Sequence, residues 1–370
     1  MHIIIAGCAR SGKTTLSLML KEKGYVHYKM DSIKRGICEA YNLKYDNWDK
    51  ISTIMATIIN RMIKDQTTDT NYLKEDYVFD IPFLYPKDLS LIDTSNTLII
   101  FLGYSKLSID ESFNNIRLHD KDNYWTNSID DNSLKRMCKE NIEFSKYIER
   151  ECQKNNILYF DTSYNREEVL KYVLNYIKKE EDLYKKRETI YDILMTDDVV
   201  LSIRKNINTL IEIIPEIKNI IGFQHNHPHH HLDVYEHTLL ALSLSEYYFE
   251  ERFCLLLHDI GKPFSYQEGE VRHFKGHPEV SSKMSYNILT RLGYKEDFIN
   301  EVCYLIKNHD TKITNDDINN NYDLTVKRYN IQKCDALAHN PEKLEKRINY
   351  LKDIANKLGV EIPKKVIKNK

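Results

Sequence analysis

Between the apolar run HIIIA, residues 2 to 6, and a helical pattern from Thr14 to about Lys23 stands GCARSGKT, residues 7 to 14. A buried strand that enters a Gly-bounded loop and leaves as a helix is the opening of a parallel sheet, so this octet constrains the fold first. It fits G-x-x-x-x-G-K-[ST] in the strand, loop and helix context that the pattern requires. Gly7 and Gly12 let the amides of Cys8, Ala9, Arg10 and Ser11 approach an anion, and the positive end of the helix faces it. Lys13 neutralises outer phosphates, the Thr14 hydroxyl reaches Mg²⁺, and Thr15 completes the nucleotide-binding set. The alternative is a Gly-rich turn that only connects strand to helix.

Short apolar runs recur at Tyr25–Lys29, Tyr77–Ile81, Thr97–Leu102 and Ile157–Asp161, separated by segments of helical periodicity. Strands alternating with helices predict a parallel sheet covered on both faces. In KMDSIKRG, Asp31 falls at the carboxyl edge of the second strand, where ligands sit in open α/β folds. A carboxylate there can take the proton of an attacking hydroxyl, with Lys34 or Arg35 one turn on to hold an acceptor phosphate. The competing role for Asp31 is to cap the next helix. Asp80 in FDIPFLYP takes the place of a metal-orienting carboxylate. Arg117 sits in a charged segment suited to a mobile lid, its bland alternative being a surface arginine.

After about Val169 the strand signals stop. A chain of 370 residues exceeds the size at which one core stops growing, so two domains are expected. The Lys/Glu-rich KYVLNYIKKEEDLYKKRETIYDIL is predicted to be a solvated connecting helix, followed by helices over Asp197–Ile213, Val234–Tyr247, Arg252–Asp259, Pro278–Leu292, Lys295–Asn308 and Leu324–Ala338. The closing KLGVEIPKKVIKNK reads as a mobile basic tail. A net charge of −2 gives no global attraction to nucleic acid or membrane, leaving only a local groove for such a partner. The seven cysteines lack CxxC spacing and read as reduced thiols. MHIIIAGC has a small-residue pair before its Cys but neither a basic start nor a long apolar stretch, so export is not expected. No apolar run approaches the ~20 residues of a membrane helix, and a cytoplasmic location is expected.

Imidazole is concentrated in the second half, with eleven of the 14 histidines between His225 and His339 and six of them in HNHPHHHLDVYEHT. That run is interrupted and internal, unlike a purification tag. His237 lies on a predicted helix. His258 and Asp259 are adjacent at a helix end before Gly261, His277 opens a helix, His309 and Asp310 close another, and Asp335 lies in an apolar-periodic helix. Nitrogen and carboxylate ligands without thiolate suit Mn²⁺, Fe²⁺, Co²⁺, Ni²⁺ or Zn²⁺ acting on phosphate. An aspartate in an apolar stripe is costly to bury unpaired, and a cation offsets that cost.

Residues 1 to 178, through GCARSGKT, MDSIKRG, FDIPFLYP and FDTSYNREEV, resemble the small P-loop nucleoside, nucleotide and polynucleotide kinases. That likeness implies ATP and Mg²⁺, the phosphate and magnesium roles for Lys13 and Thr14, and Asp31 as base. The pattern H…HD…H…H…D over about 190 to 345 resembles the HD-domain phosphohydrolases, with LLLHDIGKP and FKGHPEVSSKM similar to the HD domain of bacterial tRNA nucleotidyltransferases. It implies His237, His258, Asp259 and Asp335 as ligands of a first ion, His277 and His309 for a second, Lys262 on the substrate phosphate, and His230, His231 and Asp233 at the entrance. No Gly-Ser followed by a paired D-x-D precedes it, so CCA addition is not carried over.

The expected architecture is an α/β P-loop kinase-like parallel sheet over 1–180, a helical connector over 181–195, an all-α HD domain over 196–350 and a basic tail over 351–370. The expected activity is an ATP-dependent kinase joined to a metal-dependent phosphohydrolase acting on nucleotide or nucleic-acid-end phosphates, as in end healing. Rivals are a nucleoside or nucleotide kinase-nucleotidase and an ATP-gated regulatory HD protein. The expected partner is a nucleotide or polynucleotide end, with no membrane and no obligate protein partner implied.

Overall fold

The structure, a computed structural model, describes residues 1–44, 47–68, 75–119 and 126–361. The chain divides into two compact units, Met1–Glu181 and Asp182–Lys370.

The first unit is built on five parallel strands, β1 (His2–Gly7), β2 (Val26–Lys29), β3 (Tyr77–Pro82), β4 (Thr97–Gly103) and β5 (Leu158–Asp161). Their spatial order is β2-β3-β1-β4-β5, with Ile5 beside Asp80 on one flank and Ile100 on the other. Helices α1 (Lys13–Lys21), α2 (Met30–Ala40), α3 (Trp48–Thr68), α4 (Ile109–His119), α5 (Asp131–Lys154) and α6 (Arg166–Leu194) connect and cover them. Alternation along β1 decides the layering, since successive side chains of a strand point to opposite faces. Ile3 and Ile5 pack with Leu16 and Leu20 of α1 and with Leu170, Val173 and Ile177 of α6. Ile4 and Ala6 pack on the other face with residues of α2, α3 and α5. The run HIIIA is buried on both sides, which is why it carries no polar alternation. Because α1 follows β1 on one face while α5, between β4 and β5, covers the other, a crevice opens at the carboxyl end of β1.

Among the described residues, the elements of the second unit are helical: the end of α6, then α7 (Val199–Lys205), α8 (Ile207–Ile213), α9 (Val234–Ser243), α10 (Phe249–Leu257), α11 (His277–Arg291), α12 (Glu296–Asn308), α13 (Asn315–Asn320), α14 (Tyr322–Leu337) and α15 (Glu345–Leu358). Helix α10 is the axis of this unit, with every residue from Glu251 to Leu257 buried. The buried Arg252 is satisfied by the carbonyls of Leu194 and Thr196, at 2.6 and 2.8 Å, so it closes the end of α6 instead of standing as an unpaired charge.

Several expectations change. The segment expected as a solvated connector puts Ile190, Ile193 and Leu194 into the core of the second unit, because its apolar residues recur at helical spacing among the charges. The helix expected over Asp197–Ile213 is two helices that meet at Asn206. The expected basic tail begins with two further turns of α15, whose Leu351, Ile354, Ala355 and Leu358 are buried. Residues 362–370 of that tail lie outside the described residues. Among the described residues no helix is long and apolar enough to cross a membrane.

Gly7 has φ of 134°, and a Cβ there would lie 1.9 Å from the backbone oxygen of Leu102. Only glycine satisfies both conditions. Gly7→Ala is therefore expected to destabilise the chain by at least about 3 kcal/mol, with urea unfolding followed by circular dichroism as the check. A loss under ~1 kcal/mol would mean that β4 yields more readily than this close approach implies.

Candidate functional site

The crevice beside β1 is a cleft of about 1280 Å³ lined by Ala9, Arg10, Gly12, Lys13, Thr14 and Thr15 of the loop and the start of α1. Gly7, Cys8 and Ser11 lie buried beneath it. The loop winds through left-handed backbone at Arg10 (φ 65°) and Gly12 (φ 102°). Lys13 Nζ donates to the carbonyl of Cys8 at 2.6 Å, folding the ammonium back over the loop. Thr14 Oγ1 donates to Asp80 Oδ2 at 2.6 Å, which pairs the two groups expected to meet a magnesium ion.

Asp31 also lines this cleft but caps nothing. It sits inside the first turn of α2 and pairs with Lys34 at 3.2 Å, while Lys34 lies over the rings of Trp48 and Phe83. Arg35 lines the cleft as well. Arg117 does not. Its guanidinium donates to the carbonyls of Thr126 and Ile129 and to Asp131, so it ties α4 to the start of α5 in place of serving a lid. An arginine that sequence reasoning passed over, Arg166 at the start of α6, does reach the cleft, with Nη2 3.5 Å from Thr15 Oγ1.

In the second unit, five helices meet. His237 comes from α9, His258 and Asp259 from the end of α10, His277 and His309 from the facing ends of α11 and α12, and Asp335 from α14. Gly261 makes the convergence possible, because a Cβ there would lie 2.5 Å from the backbone nitrogen of Ser281 in α11. His237, His258, Asp259 and Asp335 form one group with ligand atoms all within 4.8 Å, and Asp259, His277 and His309 form a second. Asp259 is common to both. Its Oδ2 faces His237 and His258 at 3.6 and 3.2 Å, and its Oδ1 faces His277 and His309 at 3.2 and 3.9 Å.

Each imidazole is held by its other nitrogen. The Nδ1 atoms of His237, His258, His277 and His309 lie 3.3, 2.6, 2.9 and 2.6 Å from the carbonyls of Ala338, Leu255, Phe274 and Ile306. A proton fixed on Nδ1 leaves the Nε2 lone pair free toward the centre, the arrangement a metal-ligating histidine needs. Neither oxygen of the buried Asp259 accepts a hydrogen bond of regular geometry, although Lys262 Nζ lies 2.7 Å from Oδ2, and Nε2 of the buried His258 is likewise without one. Buried orphans of this kind are costly unless a cation satisfies them.

The charges agree. Burial alone would raise Asp259 and Asp335, but His258 and Lys262 hold the first well below the usual carboxylate range, and Arg347 and His339 hold the second there. Burial pulls His258 down, and the two carboxylates overcome it to push the ring up to about 10. Burial lowers His237 and takes His309 down to about 3, so both rings favour the neutral form with an Nε2 lone pair available. The carboxylates thus call for positive charge beside them, which His258 supplies as a proton and a divalent cation would supply in its place, while His237 and His309 keep nitrogen lone pairs, a set that fits a cation with mixed nitrogen and oxygen donors.

A cleft of about 610 Å³ opens over this centre, lined among others by His230, Lys262, Arg272, Lys275, His339 and Arg347. Of the three residues expected at its entrance, His230 is there. His231 is exposed and absent from the lining, and Asp233 caps α9 by accepting from the Glu236 amide at 2.8 Å. His225 was given no ligand role from the sequence. It is 1% exposed, stacked on His230 with centroids 3.7 Å apart, and its Nε2 lies 3.0 Å from Lys262 Nζ. Arg347 and His339 carried no signal beyond their residue type. All seven cysteines are free, and none belongs to either group.

Comparison with known proteins defines the class of the second unit. The family model described as the HD domain matches residues 234–355, so the helical C-terminal unit carries an HD domain. HD domains bind divalent metals, and the His/Asp cluster lies within the matched residues. Among curated proteins, the A-adding tRNA nucleotidyltransferase of Deinococcus radiodurans is 33% identical over 96 residues, 24% of this chain. The matched stretch spans only 22% of that protein's length. Both similarities point to an enzyme.

Because Asp259 belongs to both groups, Asp259→Asn is expected to lower bound Mn²⁺ or Co²⁺ per chain at least about tenfold, while His231→Ala leaves it unchanged. Metal analysis after dialysis against each ion checks this. Full metal content in the Asp259→Asn protein would contradict the shared-carboxylate geometry.

Proposed function

We propose that the chain is a two-site phosphoryl enzyme. The HD domain is a metal-dependent phosphohydrolase of phosphomonoesters and 2′,3′-cyclic phosphodiesters, and the N-terminal unit is an ATP- and Mg²⁺-dependent kinase. Both act on the same class of substrate, a nucleotide or the end of a nucleic acid. The observation that carries the hydrolase half is Asp259, a buried carboxylate presenting one oxygen to each of two ligand groups beside a lysine at 2.7 Å.

His237, His258, Asp259 and Asp335 would hold a divalent cation, which would supply Lewis-acid polarisation of a phosphoryl oxygen and a lowered pKa for a bound water. His277 and His309, with Oδ1 of Asp259, form the place for a second ion. Lys262 stands at the boundary between this centre and the cleft, held by Asp259 and His225, so one of its three donors remains to meet a substrate phosphate. Arg272 and Lys275 add positive charge along the wall, and His230 flanks the opening. A hydrolytic turnover adds the oxygen of water to phosphorus, breaks the ester P–O bond and returns a proton to the leaving oxygen.

In the N-terminal unit the loop amides and Lys13 suit the phosphates of ATP, and the Thr14–Asp80 pair suits magnesium. Arg10 and Arg166 line the same cleft and would offset charge on the transferred phosphoryl group, the part first assigned to Arg117. Asp31, steadied by Lys34, would accept the proton of the acceptor hydroxyl. The relative's name refers to tRNA, which supports a nucleic-acid end as the substrate.

Two variants separate the activities. Lys13→Ala is expected to lower transfer from γ-labelled ATP to 5′-hydroxyl oligonucleotides or nucleosides at least ~100-fold and to leave hydrolysis of 2′,3′-cyclic ends intact, and Asp259→Asn to do the reverse. Label that never leaves ATP for any acceptor would remove the kinase half, and unaltered hydrolysis in Asp259→Asn would remove the other.

A further inference from the structure

Helix α15 delivers a guanidinium to Asp335. Arg347 Nη2 lies 2.7 Å from Asp335 Oδ2 and 3.1 Å from Asp310 Oδ1, and Nη1 lies 3.1 Å from His339 Nε2. The last contact fixes a tautomer. His339 Nδ1 is 2.8 Å from the carbonyl of Asp335 itself, so the proton sits on Nδ1 and the Nε2 lone pair accepts from Arg347. Asp335, Arg347 and His339 thus close a ring that leaves the Asp335 side chain no freedom to turn. With Oδ2 engaged, Oδ1 is the oxygen that faces His237 at 3.0 Å and His258 at 3.7 Å.

We propose that Arg347 is a positioning residue that fixes Asp335 as a one-oxygen donor toward the metal centre. The proposal rests on the reading of His237, His258, Asp259 and Asp335 as that centre. Without the guanidinium, the buried Asp335 carboxylate would have a free oxygen and could rotate, either toward His339, whose Nδ1 is 3.7 Å from Oδ1, or onto the centre with both oxygens. Charge and orientation pull in opposite directions here. A cation beside a ligand carboxylate weakens divalent-ion binding electrostatically, so removing it should tighten binding if charge were its whole contribution. An orienting contact predicts loosening, and partners of metal ligands are typically worth about 10- to 100-fold in affinity.

The test titrates Co²⁺ into the full-length protein and into its Arg347→Met and Arg347→Lys variants, reading d–d absorption, with thermal melting of the same samples to show that each is folded. Methionine keeps an apolar stem without a donor, and lysine keeps one donor for Oδ2. The expected result is at least about tenfold weaker Co²⁺ binding and an altered band for Arg347→Met, with Arg347→Lys within roughly threefold of the parent. Equal or tighter Co²⁺ binding with an unchanged band in Arg347→Met overturns the proposal, as does an equal loss in both variants. Absence of Co²⁺ binding by the parent protein would instead overturn the metal centre, and this inference with it.

Discussion

A carboxylate with both oxygens turned inward, among four imidazole rings and a lysine, is the constraint to which the second unit is built. Left alone, Asp259 would be among the most costly groups to bury in the molecule. Its surroundings answer that cost in layers: Lys262 on one oxygen, four Nε2 atoms around the pair, and a backbone carbonyl behind each ring. The carbonyls behind His258 and His309 belong to the last turns of α10 and α12, where helix carbonyls lose the regular i+4 amide donor, although Ile306 still accepts from the His309 amide at 3.4 Å. Helix ends are thus satisfied by the same histidines that they orient.

The first unit uses backbone where the second uses side chains. Its loop takes left-handed turns and a close approach to β4, and Gly7 and Gly12 meet those conditions. Both sites lie where ordered elements stop. That is the expected location, since the interior of a helix or strand spends its polar backbone on itself and only its ends have groups left over.

Legibility followed the range of the signal. The strands β1 and β3 could be read because a doubly buried strand is apolar at nearly every position, a property visible within five or six residues, whereas the partly buried β2 and β5 offered only short apolar runs. His237, His258, Asp259, His277, His309 and Asp335 could be read as a set because chemistry-bearing residues at predicted helix ends are unusual there. Arg117 and Asp233 misled for the opposite reason. A lid arginine and an arginine tying two helices together look alike in sequence, as do a pocket aspartate and an N-cap aspartate, and the difference lies in partners nine to fourteen residues away for the first and three for the second. Arg347 and His225 were silent because each meets its partner, Asp335 or Lys262, across 12 and 37 residues, a pairing that no local spacing encodes.

Sequence alone determined the kinds of chemistry present and the elements that carry them: a glycine-bounded loop between strand and helix, and imidazoles with aspartates at the ends of helices. Those depend on local geometry, which spacing along the chain encodes. Tertiary structure decided which groups come together, that Asp259 belongs to two of them, that Arg166 and not Arg117 reaches the glycine-bounded loop, and that α15 supplies a guanidinium to Asp335. Such facts depend on distances between elements far apart in sequence, and these are set by packing of the whole core.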